Sequence, residues 1–291
     1  MISILLFLAS VGVLFTYGLK PSIDFTGGSL LELSFQGARP TVAEMETVLQ
    51  PLNLGTTVVQ PAGEKDVLLR FRTVSENEHQ KILQVVRAAK EKGDEKVLEN
   101  RFETIGPSIS ATLRTRAVWS AIAVLGSILI YIAYTFRKIS RPISAWKYGV
   151  AAILALFHDV AIVAGVFAIL GEYKNVEVDI PFVVAILTIF GGSVYDTIVV
   201  FDRIRENLVR RGTSNFGETV NNAVNETLAR SLNTTFTTLL PLSALFFFGG
   251  STIHYFALAL LIGITAGAYS SIFVASPILI LWEKWDRRAK A

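Results

Sequence analysis

Apolar runs of roughly 20 residues recur along this chain, the length a helix needs to cross ~30 Å of hydrocarbon. Six spans are expected, at 2–19, 117–136, 149–170, 180–201, 231–248 and 254–282. A long polar segment, 20–116, separates the first from the second, and the other five follow in quick succession.

Inside the polar segment the period changes. SLLELSF (29–35) alternates like a strand. TVAEMETVLQPL (41–52) reads as a helix, with Thr41 as N-cap and Glu44 three residues on, a capping box. TTVVQ (56–60) and DVLLRFRTV (66–74) are strand-like, with a turn at Pro61-Ala62-Gly63. ENEHQKILQVVRAAKEKG (76–93) is an amphipathic helix stopped by Gly93. KVLENRFETIG (96–106) is a last strand. The order βαββαβ is the split-βαβ, ferredoxin-like pattern. The expected fold is therefore a polytopic α-helical membrane protein with six transmembrane helices and one α+β domain. Its parts are a first helix at 1–19, a ferredoxin-like domain at 20–116 and a five-helix bundle at 117–291.

Composition agrees: of 291 residues 52% are hydrophobic and 18% charged, with a mean hydropathy of +0.49. The net charge of +3 is too small to argue for nucleic acid. Cysteine is absent, which removes disulfides and thiolate metal sites. The basic residues settle topology instead. The 136–148 loop holds Arg137, Lys138, Arg141 and Lys147, and the 202–228 loop holds Arg203, Arg205, Arg210 and Arg211. The C-terminus holds Lys284, Arg287, Arg288 and Lys290, while 171–179 has only Lys174 and 249–253 none. Both termini and the two basic loops are thus expected in the cytoplasm, and 20–116 on the opposite side. That segment carries 13 basic and 13 acidic residues, the balance of a folded domain. Residues 2–19 lack the basic flank and cleavage pattern of a signal peptide. The missing flank suggests a trimmed N-terminus or a segment that follows another.

The candidate chemistry lies in charges within the spans. Asp196 sits in a run otherwise apolar from Ile180 to Phe201. A mid-membrane carboxylate costs several kcal/mol unless protonated, paired or hydrated. Its plainer role is a helix-end carboxylate, since Phe201 is only ~8 Å further along the helix. Arg230 lies just before SLNTTFTTLLPL; it either snorkels to the interface or reaches inward to pair with Asp196. Tyr195, Asn233, Thr234, Thr235, Thr237 and Thr238 supply polar atoms for a hydrated path, or the threonines bond back to their own helix. Asp159, beside His158, is the deepest charge. Gly191-Gly192 and Gly263-x-x-x-Gly267 read as close-packing patches. No P-loop, GxSxG, HExxH or EF-hand loop is present, so neither ATP hydrolysis nor covalent catalysis is expected, and no metal or organic cofactor.

Four motifs in order, IDFTGGSLLEL (23–33), FHDVAIV (157–163), VYDTIVVFDRIRENL (194–208) and NETLARSLNTTFTTLLPL (225–242), closely resemble the SecD/SecF family of bacterial protein-export membrane proteins. That family belongs to the resistance–nodulation–division superfamily. The resemblance is to its shorter member, since SecD has a larger first extracytoplasmic domain and a counterpart segment more like VDANVLIFERIRE. It implies a multi-pass protein of the bacterial inner membrane whose partners are SecD, the SecYEG channel, YajC, the translocating unfolded preprotein and lipid. It implies no enzyme activity but use of the proton gradient, or the sodium gradient of some relatives. Ion coupling would fall on Asp196, Arg230 and Asp159, and the family motif at the domain entry on Asp24, Gly27 and Gly28. Tyr195 stands where the family commonly has Asn. A scaffold holding SecD at the channel, or half of a small-molecule or lipid exporter, are the alternatives.

Overall fold

The computed structural model describes residues 2–62, 64–91, 96–137, 142–211 and 215–288. The chain divides into two compact units, 21–116 and the remainder, 1–20 with 117–291.

The smaller unit begins with a one-turn helix, α1 being the apolar helix Ile2–Tyr17 before it and α2 the turn Ile23–Thr26. Ser22 caps α2 by accepting the Asp24 N–H. Gly27 and Gly28 follow at φ +76° and +120°. Only glycine takes such values at no steric cost, and a Cβ on Gly28 would stand 2.8 Å from the Phe71 carbonyl oxygen. The family motif residues Asp24, Gly27 and Gly28 thus build the entry to the first strand.

Four strands follow: β1 (Gly28–Phe35), β2 (Val58–Ala62), β3 (Asp66–Phe71) and β4 (Val97–Ile105). They form an antiparallel sheet of order β2-β3-β1-β4, with Leu31 opposite Leu69 and Leu33 opposite Val67. Helices α3 (Val42–Leu49) and α4 (Glu76–Lys90) place Met45, Leu49, Ile82, Leu83 and Val86 against those strand residues in one core. Two local expectations change. β2 runs through Pro61, expected in the turn, because β2 is an edge strand where a missing N–H breaks no ladder. The reciprocal capping box sits on α4, not α3: Glu78 reaches the Ser75 N–H at 2.9 Å, whereas Thr41 caps α3 from its own side chain. Gly63 and Gly93, expected at a turn and a helix stop, lie outside the described residues.

The capping box carries a pH dependence. The Arg72 guanidinium, 2.5 Å from the Glu78 carboxylate, and then the Ser75 N–H hold that carboxyl at about 2, below its usual 4.5. A lowered carboxyl stabilises the fold above its ordinary value and loses that effect as pH falls towards the folded value. Hydrogen-exchange protection at the start of α4 is therefore expected to drop as pH falls from about 4.5 to about 2. In Glu78→Gln the protection should be lower at neutral pH and lack that step; an unchanged acid profile would refute it.

In the larger unit α1 packs on α6 (Ala145–Lys174), where Gly165 admits the backbone of Ser10. The remaining helices are α5 (Pro107–Thr135), α7 (Ile180–Arg211), α8 (Phe216–Phe248), α9 (Ser251–Ser270) and α10 (Ser276–Arg288). A π turn, Ser271–Ala275, joins α9 to α10 into one run. Among the described residues five helices are long and apolar enough to cross a membrane, namely α5, α6, α7, α8 and the α9–α10 run. The sixth expected span, α1, is a shorter apolar helix of 16 residues.

The 202–228 segment is not the expected loop. α7 and α8 continue as helices well past their apolar runs, so only a few residues connect them. Hydropathy finds the hydrocarbon part of a helix and not its polar extension. The extension is held by ion pairs, with Arg203 bonding both Glu206 and Glu226 at 2.5 Å and Asn207 bonding Glu226 at 2.9 Å. Lys138 and Arg141 of the other basic loop lie outside the described residues.

Candidate functional site

The charges within the apolar helices have different surroundings. Asp159, on α6, is fully buried at 0% exposure. Its Oδ2 accepts hydroxyl bonds from Ser193 of α7 at 2.6 Å and Ser270 of α9 at 2.8 Å. Its Oδ1 lies 3.1 Å from Nδ1 of His158. An ionised carboxylate only accepts, so this contact needs the proton on Nδ1. The His158 ring is stacked between Phe7 of α1 and Tyr269 of α9, and the Tyr269 hydroxyl meets that of Ser3 at 2.8 Å. Nε2 of His158 is buried with no partner among the described residues. A second tier adjoins: Ser271 shares a hydroxyl contact of 2.9 Å with Thr197, and Ser271 also donates to the Gly267 carbonyl at 2.8 Å.

Sequence pattern named Asp159 and His158 but none of these hydroxyls. Their only signal was that Ser193 and Ser270 fall beside small residues, one near Gly191-Gly192 and the other near Gly267. Gly267 permits the approach, since a Cβ there would stand 2.9 Å from that of Ser193. The Gly263-x-x-x-Gly267 patch is thus a close contact of α9 with α7. Gly191 and Gly192, read the same way, face open space within this chain.

Asp196 lies one turn along α7 from Ser193 and is 8% exposed. No hydrogen bond or ion pair of its carboxylate joins it to any described residue. The expected pair with Arg230 is not formed: Arg230 is exposed, on the outer side of α8. The reason is helical phase. The buried stripe of α8 runs through Val220, Ala223, Thr227, Ser231 and Thr235, and Arg230 precedes that stripe by one residue, ~100° around the helix.

The proposed polar path divides in the same way. Thr235 is buried, and its hydroxyl, like that of Ser231, has no partner among the described residues. Asn233, Thr234, Thr237 and Thr238 are exposed. Thr234, Thr237 and Thr238 donate to the carbonyls four residues earlier, of Arg230, Asn233 and Thr234, at 2.9–3.0 Å. Tyr195 is 53% exposed on the outer side of α7. Arg230, Asn233, Thr234 and Thr237 share one exposed, polar face of α8.

A family model described as "Protein export membrane protein SecD/SecF, C-terminal" matches residues 84–285, and one described as "SecD/SecF GG Motif" matches 12–38. A relative from Thermobaculum terrenum, "Protein translocase subunit SecF", is 41% identical over 98% of this chain and 92% of its own length. "Protein translocase subunit SecDF" of Thermus thermophilus is 40% identical over 99% of this chain, which spans 38% of that protein. The crystal structure of SecDF from the same organism, described as a translocon-associated membrane protein, superposes on 97% of this chain with a TM-score of 0.80 at 38% identity, over 37% of its own length.

Proposed function

Starting from the family to which this chain belongs, the SecD/SecF protein-export membrane proteins, we propose that it is the SecF half of a SecDF machine. It sits as a multi-pass protein in the bacterial inner membrane, works beside SecYEG with YajC at hand, and draws unfolded preproteins outward late in export. In this reading α1 is the sixth span, both termini are cytoplasmic, and residues 21–116 form an extracytoplasmic ferredoxin-like domain that takes hold of the preprotein.

The observation that carries ion coupling is Asp196, a buried carboxylate in an apolar run with no cation against it among the described residues. Protonation relieves such a group, and each charge per 100 mV of gradient contributes about 2.3 kcal/mol. Ionised, Asp196 favours an arrangement in which a cation reaches it, and Arg230, on the next helix, is the one at hand. A proton or sodium ion that neutralises it removes that preference, and the two states differ in helix packing. The exposed polar face of α8 with Arg230 supports SecD as the neighbour that covers it. A fused SecDF relative, of which this chain matches 38%, supports the same partner.

The scaffold reading draws on a different observation. Asp159 has three hydrogen-bond partners and needs no ion to be satisfied. The deciding experiment is export of a reporter by SecDF-containing inverted vesicles, with and without uncoupler. Asp196→Asn and Arg230→Ala are expected to export at the uncoupled rate while still co-purifying with SecD. Gradient-stimulated export by Asp196→Asn would end the coupling role, and loss of SecD from the complex would favour the scaffold.

A further inference from the structure

The Asp159 cluster meets the π turn at a single hydroxyl. Ser270 is the last residue of α9, directly before the turn Ser271–Ala275. A π turn breaks the regular i→i+4 ladder, and such turns are frequent at functional sites. Ser276 Oγ donates to the Ser271 carbonyl at 2.9 Å, a side-chain bond across the turn. At its far end α10 is tied back to α6 by Lys147 and Asp286, at 2.5 Å. The turn is thus the irregular link between two attachments to the same helix, one of them Asp159.

Ser270 has one hydroxyl proton and two acceptors in reach. Asp159 Oδ2 lies at 2.8 Å and the carbonyl of Gly267, in its own helix, at 3.2 Å. The choice depends on charge. A hydrogen bond to an ionised carboxylate is about twice as strong as one between neutral groups, so ionised Asp159 holds the proton. Neutral Asp159 loses that advantage, and the hydroxyl turns to the Gly267 carbonyl, which it then shares with Ser271. We propose that Ser270 is a positioning residue that reports the charge of Asp159 to the π turn. With Asp159 ionised the turn is fastened to α6; with Asp159 neutral it is released.

This rests on the proposed ion coupling, extended from Asp196 to Asp159 as the family resemblance implies. The other groups that bear on its charge are few. His158 adjoins it on α6, Tyr269 faces His158 from α9, and Asp196 lies one turn beyond Ser193 on α7. Neither α1 between Ile2 and Tyr17 nor the π turn has an Asp, Glu, Lys or Arg.

The test is hydrogen exchange of the full chain in lipid nanodiscs with SecD, read at residues 271–276 and at one pH for every variant. Asp159→Asn and Ser270→Ala should each raise exchange there by about tenfold, and the double variant by no more than either. Ser270→Thr, which keeps the hydroxyl, should match the wild type. In vesicles Ser270→Ala should lose most gradient-stimulated export, and Ser270→Thr should restore it. Wild-type exchange in both Asp159→Asn and Ser270→Ala would overturn the relay, as would full export by Ser270→Ala. If that full export occurs while Asp196→Asn has lost its gradient dependence, ion coupling survives and only the relay falls.

Discussion

Gly263→Leu will leave little folded protein in the membrane, and the damage will trace to one partner, Ile189. A Cβ built on Gly263 meets the Cδ1 and Cγ1 atoms of Ile189 closer than real side chains approach. Ile189 is itself fully buried, in a cluster with Val163, Phe167, Ala185 and Ala259, so it has nowhere to turn. One turn further on, Gly267 brings α9 onto the backbone of Ser193. Within lipid, helices gain nothing from hydrophobic exclusion and associate by close packing. Overfilling a packed core costs about 1–3 kcal/mol and sometimes more. Leucine adds four carbons where even the first does not fit, so α9 must move off α7 and carry Ser270 away from Asp159. Membrane abundance and thermal retention in detergent measure it. Gly263→Ala should be milder and should recover most of its loss when combined with Ile189→Ala, because the pair is in contact. Wild-type abundance of Gly263→Leu would show that α9 does not rest on α7 there.

Most of the architecture was legible because it is written in local period. The apolar runs mark α5 to α9, and alternation marks β1 and β3. The turns and helix ends were less so. Pro61 looks like a breaker until the strand it occupies proves to be an edge. The polar ends of α7 and α8 look like a loop because their helicity rests on ion pairs such as Arg203 with Glu226, 23 residues apart. The site was half legible. A carboxylate in an apolar run is visible in one dimension, so Asp159 and Asp196 stood out. Their partners are not visible there: Ser193 and Ser270 lie 34 and 111 residues from Asp159, and a serine near a glycine is an ordinary thing in a membrane helix. Arg230 does not meet Asp196 in this arrangement for a reason of phase, since nearness in depth does not put two side chains on facing sides.

Substitution at Asp159 separates what the carboxylate does for the fold from what its charge does for export. Asp159→Leu removes both carboxylate oxygens, which accept from Ser193, Ser270 and His158. The hydroxyl of Ser270 still has the Gly267 carbonyl, and serine can bond back along its own helix. The His158 Nδ1–H has no such refuge, because its ring is fixed between Phe7 and Tyr269. A stranded buried donor costs about 1–3 kcal/mol, so Asp159→Leu should lower membrane abundance and thermal retention. Replacing both members, His158→Leu with Asp159→Leu, should recover much of that loss, since exchanging a buried polar pair for apolar groups is often neutral or better. Export should not recover, because the charge is gone. Asp159→Asn keeps the shape and one acceptor, so it should be nearly as abundant as the wild type. It cannot alternate between charged and neutral, and its gradient-stimulated export should fall to the rate seen with uncoupler. Reporter export alongside abundance, for all three variants in the same vesicles, decides it. Export by Asp159→Asn at the wild-type rate would make Asp159 a packing group and leave Asp196 as the acid that answers the gradient.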